Sequence, residues 1–282
     1  MRRAALLVAL LAVASGRGTS AQAGDLALVL DGLAARTREY YDRFISIICT
    51  ETVEQQDLRF NLRPRGKPRV TVYELSVSRD PRSAGESEFR VDRTLQLVNG
   101  RPARKNQQPG CTDPKTGSPE PLAFLLAANQ PRYKFTIADD GAGGPAGTRA
   151  IDFVENPAGR VQVRWERNCF EAEGGGQQGR VWFDPVTFEV LQVFVRLSKP
   201  FLIPMRPGHV GGEPAIRVER SEMTLRFSRV TFEEPDETVL LPESIEILTV
   251  FRGATSLKTQ QRLSNFRRFL TRSEIRASAA EP

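Results

Sequence analysis

A single histidine, His209, stands in a chain of 282 residues, and its isolation excludes a good deal of chemistry. Zinc sites built on several histidines, HExxH proteases and two-histidine phosphotransfer have no residues to use. A Ser-His-Asp triad would have to recruit His209 from Pro207-Gly208-His209-Val210-Gly211-Gly212, and no GxSxG elbow supplies its nucleophile. Neither glycine-rich stretch, 139–144 or 174–176, opens a helix or carries phosphate-cradle spacing, so both are expected to be hairpin loops. Asp139 and Asp140 lack the ligand spacing of an EF-hand. No catalytic residue, metal site or cofactor is expected.

Cysteine is scarce too. Cys49, Cys111 and Cys169 lie far apart with no CxxC pair, and an odd count in an oxidising compartment implies one disulfide and one spare thiol. Three pairings are open. Cys111 and Cys169 flank loops that can meet and are the expected pair, whereas Cys49 ends an amphipathic helix and is expected to be a small buried hydrophobe.

Long apolar runs are absent after the first residues. Arg2 and Arg3 precede an apolar run over 4–14, too short to span a bilayer, and Ala21-Gln22-Ala23 fits a small-x-small cleavage site. Residues 1–23 therefore read as a cleavable signal peptide, and the mature chain, starting at Gly24, is expected to be periplasmic or secreted with no integral membrane segment. No cysteine near the cut would carry a lipid anchor. Removing Arg2, Arg3 and Arg17 lowers the net charge from +6 to +3, and the remaining basic residues alternate with acidic ones. Short clusters such as Arg63-Pro64-Arg65-Gly66-Lys67 fall in turns and read as solvated surface, with a nucleic-acid or anionic-lipid patch as the alternative, and no nucleic-acid partner is expected.

What is present is mostly strand. The stretch 179–197, GRVWFDPVTFEVLQVFVRL, reads as a β-hairpin, with Asp184-Pro185-Val186-Thr187 as its turn. Upstream, Asp25 is a plausible N-cap for one long helix whose stripe is Leu26, Leu30, Leu33, Tyr40, Tyr41, Phe44 and Ile48. From Glu51 the period shifts towards two. Strands are expected at 70–78, at 89–98 ending in the Asn99-Gly100 hairpin signal, at 133–137, 150–154 and 161–166, and then at 217–232, 240–251 and 257–269. A second, short helix is expected over 118–129, capped by Ser118. The segments 101–115, 200–214 and 233–238 read as loops, the second as a flap over one end of the sheet, and 273–282 as a disordered tail. Residues 24–272 are expected to form one antiparallel-sheet domain.

Several segments carry a resemblance. Residues 41–51, Cys111-Thr112-Asp113-Pro114 with Ser118-Pro119-Glu120-Pro121-Leu122-Ala123, Gly179-Arg180-Val181-Trp182-Phe183-Asp184-Pro185, Leu241-Pro242-Glu243-Ser244 and 263–269 resemble a family of uncharacterised secreted bacterial proteins. In strand count and hairpin style the pattern is similar to the periplasmic lipoprotein-carrier architecture (LolA/LolB-like, also used by RseB/MucB-type stress regulators). That resemblance implies an α+β fold, a curved antiparallel sheet or incomplete β-barrel with both helices against its concave side. It also implies a cavity for an acyl chain of a lipid or lipoprotein, lined by Trp165, Trp182, Phe194 and Phe227 if these are more than core. The alternative is an envelope protein-protein interaction module whose interior is filled by its own side chains. A third reading, a hydrolase using the acids Glu51 with Glu54 or Glu233 with Glu234, requires a cleft that adjacent strand acids do not form, because they point to opposite faces.

Overall fold

The structure is a computed structural model that describes residues 18–44, 46–79, 89–107, 110–138, 142–157, 159–166, 169–204 and 215–268. Helix α1 (Gly18–Arg43) leads into β1 (Ile47–Leu58), β2 (Arg69–Arg79), β3 (Phe89–Val98) and the short β4 (Arg101–Pro102). Three 3-10 turns, Pro114–Gly117, Glu120–Leu125 and Gln130–Arg132, precede β5 (Tyr133–Ala138) and β6 (Arg149–Glu155). Then come β7 (Gln162–Glu166), β8 (Cys169–Glu173), β9 (Gln177–Phe183), β10 (Val190–Leu197), β11 (Phe201–Pro204), β12 (Ala215–Glu233), β13 (Asp236–Arg252) and β14 (Ser256–Arg268).

One antiparallel sheet dominates, in the order β4-β3-β2-β1-β14-β13-β12-β10-β9-β6-β5, with β11 added beside β12. It is open, with β4 and β5 at its edges, and β7 and β8 form a separate hairpin. Register shifts in β1–β14, β2–β3, β9–β10 and β12–β13 bend the strands. The bend lets residues from both halves, Leu75 and Val77 on β2 and Phe153 and Val181 on β6 and β9, share one core with α1 and the 3-10 turns. Within α1, Val29, Leu33, Thr37, Tyr40 and Tyr41 are buried, and Phe44 directly after it is too; together they cover this concave face.

The hairpin expected over 179–197 forms, as β9 and β10. The Asp184 carboxylate accepts the Val186 and Thr187 N–H groups at 2.8 and 3.0 Å, closing the turn between β9 and β10. Asn99 and Gly100 take the expected left-handed turn, and the Asn99 side chain accepts the Val70 N–H at 2.9 Å.

Several expectations are corrected. Helix α1 begins at Gly18, so Asp25 is not its N-cap; that carboxylate pairs with Arg149 at 2.8 Å. The helix also ends at Arg43, so Ile48 and Cys49 belong to β1, where Cys49 is buried. There, burial and then the charge of Glu51 push its thiol up to about 12, an inert thiol. The second helix does not form. Pro114, Pro119, Pro121 and Pro131 fragment the segment into 3-10 turns, although Leu122, Phe124, Leu125 and Leu126 are buried as an apolar insert should be. Residues 174–176 are a connector from β8 to β9 and not a hairpin loop, because β8 pairs only with β7. The loop expected over 233–238 shrinks to a tight turn, since β12 and β13 pair as far as Glu233 with Asp236. Four strands fall outside the expected set: β1, β4 at the start of the expected loop over 101–115, β8, and β11 within the supposed flap. His209, the rest of that flap, Asp139, Asp140, residues 1–17 and the tail lie outside the described residues, so the signal-peptide reading rests on sequence alone. No described helix is long and apolar enough to cross a membrane.

Candidate functional site

The two faces of the sheet separate the four aromatic candidates. Phe227 alone lies on the concave face, where the Tyr40 ring of α1 meets it edge-on at 6.2 Å. Trp182 lies between the core residues Val181 and Phe183 and so points to the other face. There the segment 142–148 folds over it: its indole N–H donates to the Ala142 carbonyl at 3.3 Å, and a Cβ on Gly144 would come within 2.1 Å of the ring. Phe194 stands opposite Arg180 in the ladder and shares that convex face with Trp182. Trp165 belongs to the detached β7–β8 hairpin, donating its N–H to the Pro204 carbonyl at 3.0 Å. A single pocket lined by all four is therefore not formed.

Cys111 and Cys169 are joined by a disulfide, with Cα atoms 5.3 Å apart. It ties the arm before the first 3-10 turn to β8. Glu51 is not a solvated acid. It is 2% exposed on the concave face, where Arg93 Nε donates to Oε2 at 2.7 Å and Nη2 to Oε1. Glu54, three residues along β1, points to the opposite face, so the two acids do not converge. Glu233 and Glu234 sit exposed at the β12–β13 turn.

The place where the structure does gather chemistry is the seam between α1 and the β9–β10 turn. The turn presents Phe188, at a positive φ of 57°, flat against Phe183 with ring centroids 6.1 Å apart. Gly32 of α1 rests directly on the Phe188 ring; a Cβ there would lie 2.7 Å from it. Beside it, Glu189 accepts hydrogen bonds from Arg36 of α1 and Arg229 of β12, the latter through Nε at 3.1 Å. Burial pushes the Glu189 carboxyl up, but the hydrogen bonds from Arg229 and Arg36 outweigh it and hold it below the usual carboxylate range. Glu39 bridges Arg36 and Arg43 along the helix.

Beneath these charges lies a cavity of about 30 Å³, with an apolar floor that includes Leu122, Phe188, Val190, Val239 and Leu240. That volume holds one water. The Thr37 and Tyr40 hydroxyls, both buried in its wall, make no hydrogen bond among the described residues. Burial drives the Tyr40 phenol well above its ordinary value, so it stays a neutral donor. Sequence reasoning missed this seam. Its signals were the polar Thr37 on an otherwise apolar helical stripe and the acid directly after the Phe188 turn.

No protein-family model matches the chain, and no curated protein matches it in sequence. Among solved structures it is similar to a LolA superfamily protein from Nitrosomonas europaea. That likeness has 8% identity and a TM-score of 0.37, covering 87% of this chain and 96% of the other, and at that level it carries no argument.

The electrostatics of the seam predict how it responds to acid. Because the folded-state carboxyl of Glu189 titrates below its unfolded value, its stabilisation is complete above that unfolded value, about 4.3. It is lost as the pH falls through the folded value. Acidification below about pH 4.3 is therefore expected to loosen α1 before the sheet, seen as hydrogen exchange rising first at 29–43. Glu189→Gln should remove that acid step, and an unchanged acid profile in that variant would contradict the assignment.

Proposed function

We propose that the protein is a non-enzymatic binding protein of the cell envelope that takes an acyl chain of a lipid or lipoprotein beneath α1. The observation that carries this reading is the make-up of the seam: an apolar floor, two buried hydroxyls that make no hydrogen bond among the described residues, and a rim on which Arg36 and Arg43 are held by Glu39 and Glu189. An amphiphile with an anionic head matches each part. Its chain would replace contacts on Leu122, Val190, Val239 and Leu240, and its head would take the place of Glu39 on the Arg36 and Arg43 guanidinium groups. About ten buried methylenes would supply on the order of 8 kcal/mol gross, against the cost of displacing the helix. A cavity of about 30 Å³ means that this displacement has to happen, so the described form is the closed one.

The same small cavity favours a second reading, an interaction module whose interior is filled by its own α1 and whose exposed surfaces bind an envelope protein. Gly32→Leu separates the two. The added side chain collides with Phe188 and should lower stability by about 1–3 kcal/mol through overpacking. For the binding protein, it should also raise the uptake of a fluorescent fatty acid by propping the seam open. Native mass spectrometry of protein taken from its host envelope should show co-purified lipid. Lipid-free protein, with no probe binding in either the parent or Gly32→Leu, would overturn the binding reading and leave the module.

A further inference from the structure

The β1–β2 hairpin ends in a basic tip that carries exposed apolar side chains. All of Arg59 to Lys67 is exposed, and within it Phe60 is 98% and Leu62 39% exposed. The backbone holds them there. Arg59 N–H donates to the Arg63 carbonyl, Leu62 N–H to Arg59 and Arg65 N–H to Asp57, each at 2.8 Å. The Asn61 side chain accepts the Arg63 N–H at 3.2 Å, and the Gln56 amide donates to the Asp57 and Arg65 carbonyls at 2.8 and 3.1 Å. Leu62 itself sits at a φ of 60°, in the left-handed region where Gly or Asn would be more comfortable. The tip is thus a fixed knuckle, and its two apolar side chains do not fold back on the sheet.

Its charge is one-sided. Arg59, Arg63, Arg65 and Lys67 surround the knuckle, and among the described residues none of the four side chains makes an ion pair. The strand register places more of the same chemistry at this end. Leu58 pairs with Ser256, which brings the β13–β14 turn alongside, and an open depression of about 620 Å³ lies between Phe60, Arg65, Phe251 and Arg252. Arg252 pairs with Arg217, and Arg217 with Leu202, which is 60% exposed. Glu219 bridges Arg217 and Arg252 at 3.3 and 2.9 Å and partly offsets their charge, so the positive charge at this end rests mainly on the four cations of the knuckle.

We infer that this end of the sheet docks on an anionic phospholipid bilayer, with Phe60 and Leu62 entering the boundary between headgroups and acyl chains and the ring of Arg59, Arg63, Arg65 and Lys67 meeting lipid phosphates. A bilayer offers a small apolar knuckle both a depth to enter and a plane of negative charge, the two things its chemistry lacks. The inference does not depend on an acyl ligand beneath α1, because that seam lies at the other end of the sheet, beside the β12–β13 turn.

The test is co-sedimentation of the full exported chain with phosphatidylglycerol-rich and with phosphatidylcholine vesicles, at low and high salt. The chain should partition onto the anionic vesicles and be released by salt. Phe60→Ser with Leu62→Ser should weaken partitioning at least about tenfold. Arg63→Ser with Arg65→Ser should weaken it by about fivefold per charge. Because all four side chains are exposed, thermal melting and fatty-acid probe uptake should match the parent, so a failure here is distinguishable from a failure of the seam. Equal partitioning onto neutral vesicles overturns the inference, as does no partitioning onto anionic ones. Full binding by the Phe60 and Leu62 variant, with loss only in the arginine variant, would mark a plain polyanion site such as one for nucleic acid, and also overturns it.

Discussion

Replacing Arg93 by methionine is expected to destabilise the protein by about 3–5 kcal/mol. Glu51 is a carboxylate 2% exposed on the concave face of β1, and Arg93 reaches it from β3 across β2. The guanidinium also donates to the Thr112 carbonyl and hydroxyl at 2.9 and 2.6 Å and lies 4.5 Å from the centre of the Tyr73 ring. Methionine keeps much of the packing and removes every donor, so the carboxylate is left buried and unpaired. Leu at 51 in the same chain should recover most of the loss, because an apolar pair of similar volume has no charge to desolvate. Urea melts of the two single variants and the double variant measure the coupling directly. The pH dependence has a definite sign. Burial holds the Glu51 carboxyl above its ordinary value against the pull of Arg93, so ionising it costs more in the folded chain than in the unfolded one. Stability from this group is complete below the unfolded value, about 4.3, and is lost as the pH rises through the folded one. In the Arg93→Met variant that loss deepens, so its deficit should be larger at about pH 7 than at about pH 4. A variant equally stable at both would mean that Glu51 is not the buried charge described.

Glu51 also shows where the sequence stops being legible. Alternation along 47–53 places Ile47, Cys49, Glu51 and Val53 on one face, yet the helical stripe that ends at Phe44 fits Ile48 equally well by spacing. What decides the boundary is long-range pairing, Ile48 with Ser76 and with Arg267, which no local window contains. Turns were more legible because their chemistry is local. Asp184 closing on Val186 and Thr187, and Asn99-Gly100 in left-handed backbone, are decided within four residues. Alternation assigns Trp182 and Val181 to opposite faces but not to concave or convex. The burial of Trp182 under Gly144 comes from a loop some forty residues away in sequence, so burial and facing the core separate. The seam beneath α1 was illegible for the same reason, since Gly32, Phe188, Glu189 and Arg229 meet only when helix, turn and strand are assembled. The 3-10 segment was within reach of a stricter reading: its spaced prolines remove donors that a continuous helix needs.

Removing the Cys111–Cys169 bridge, as Cys111→Ser with Cys169→Ser, is expected to cost about 4 kcal/mol by the chain-entropy estimate for the 58 residues it closes. The loss should not be spread evenly. The β7–β8 hairpin pairs with no strand of the main sheet and is otherwise held by contacts such as Trp165 to Pro204 and Phe170 against Phe251, with ring centroids 6.2 Å apart. Hydrogen exchange should therefore rise first over 162–173 and over 110–117, while the central β9–β10 ladder stays protected. The bridge and the Glu51–Arg93 pair are also coupled through one residue, because Thr112, which accepts two bonds from Arg93, directly follows Cys111. Freed of the bridge, the arm no longer keeps Thr112 over the guanidinium, so part of what Arg93 contributes is already gone. Arg93→Met should accordingly cost less in the bridge-free chain than in the parent, and strictly additive losses in the two backgrounds would show that the arm and the buried ion pair act independently.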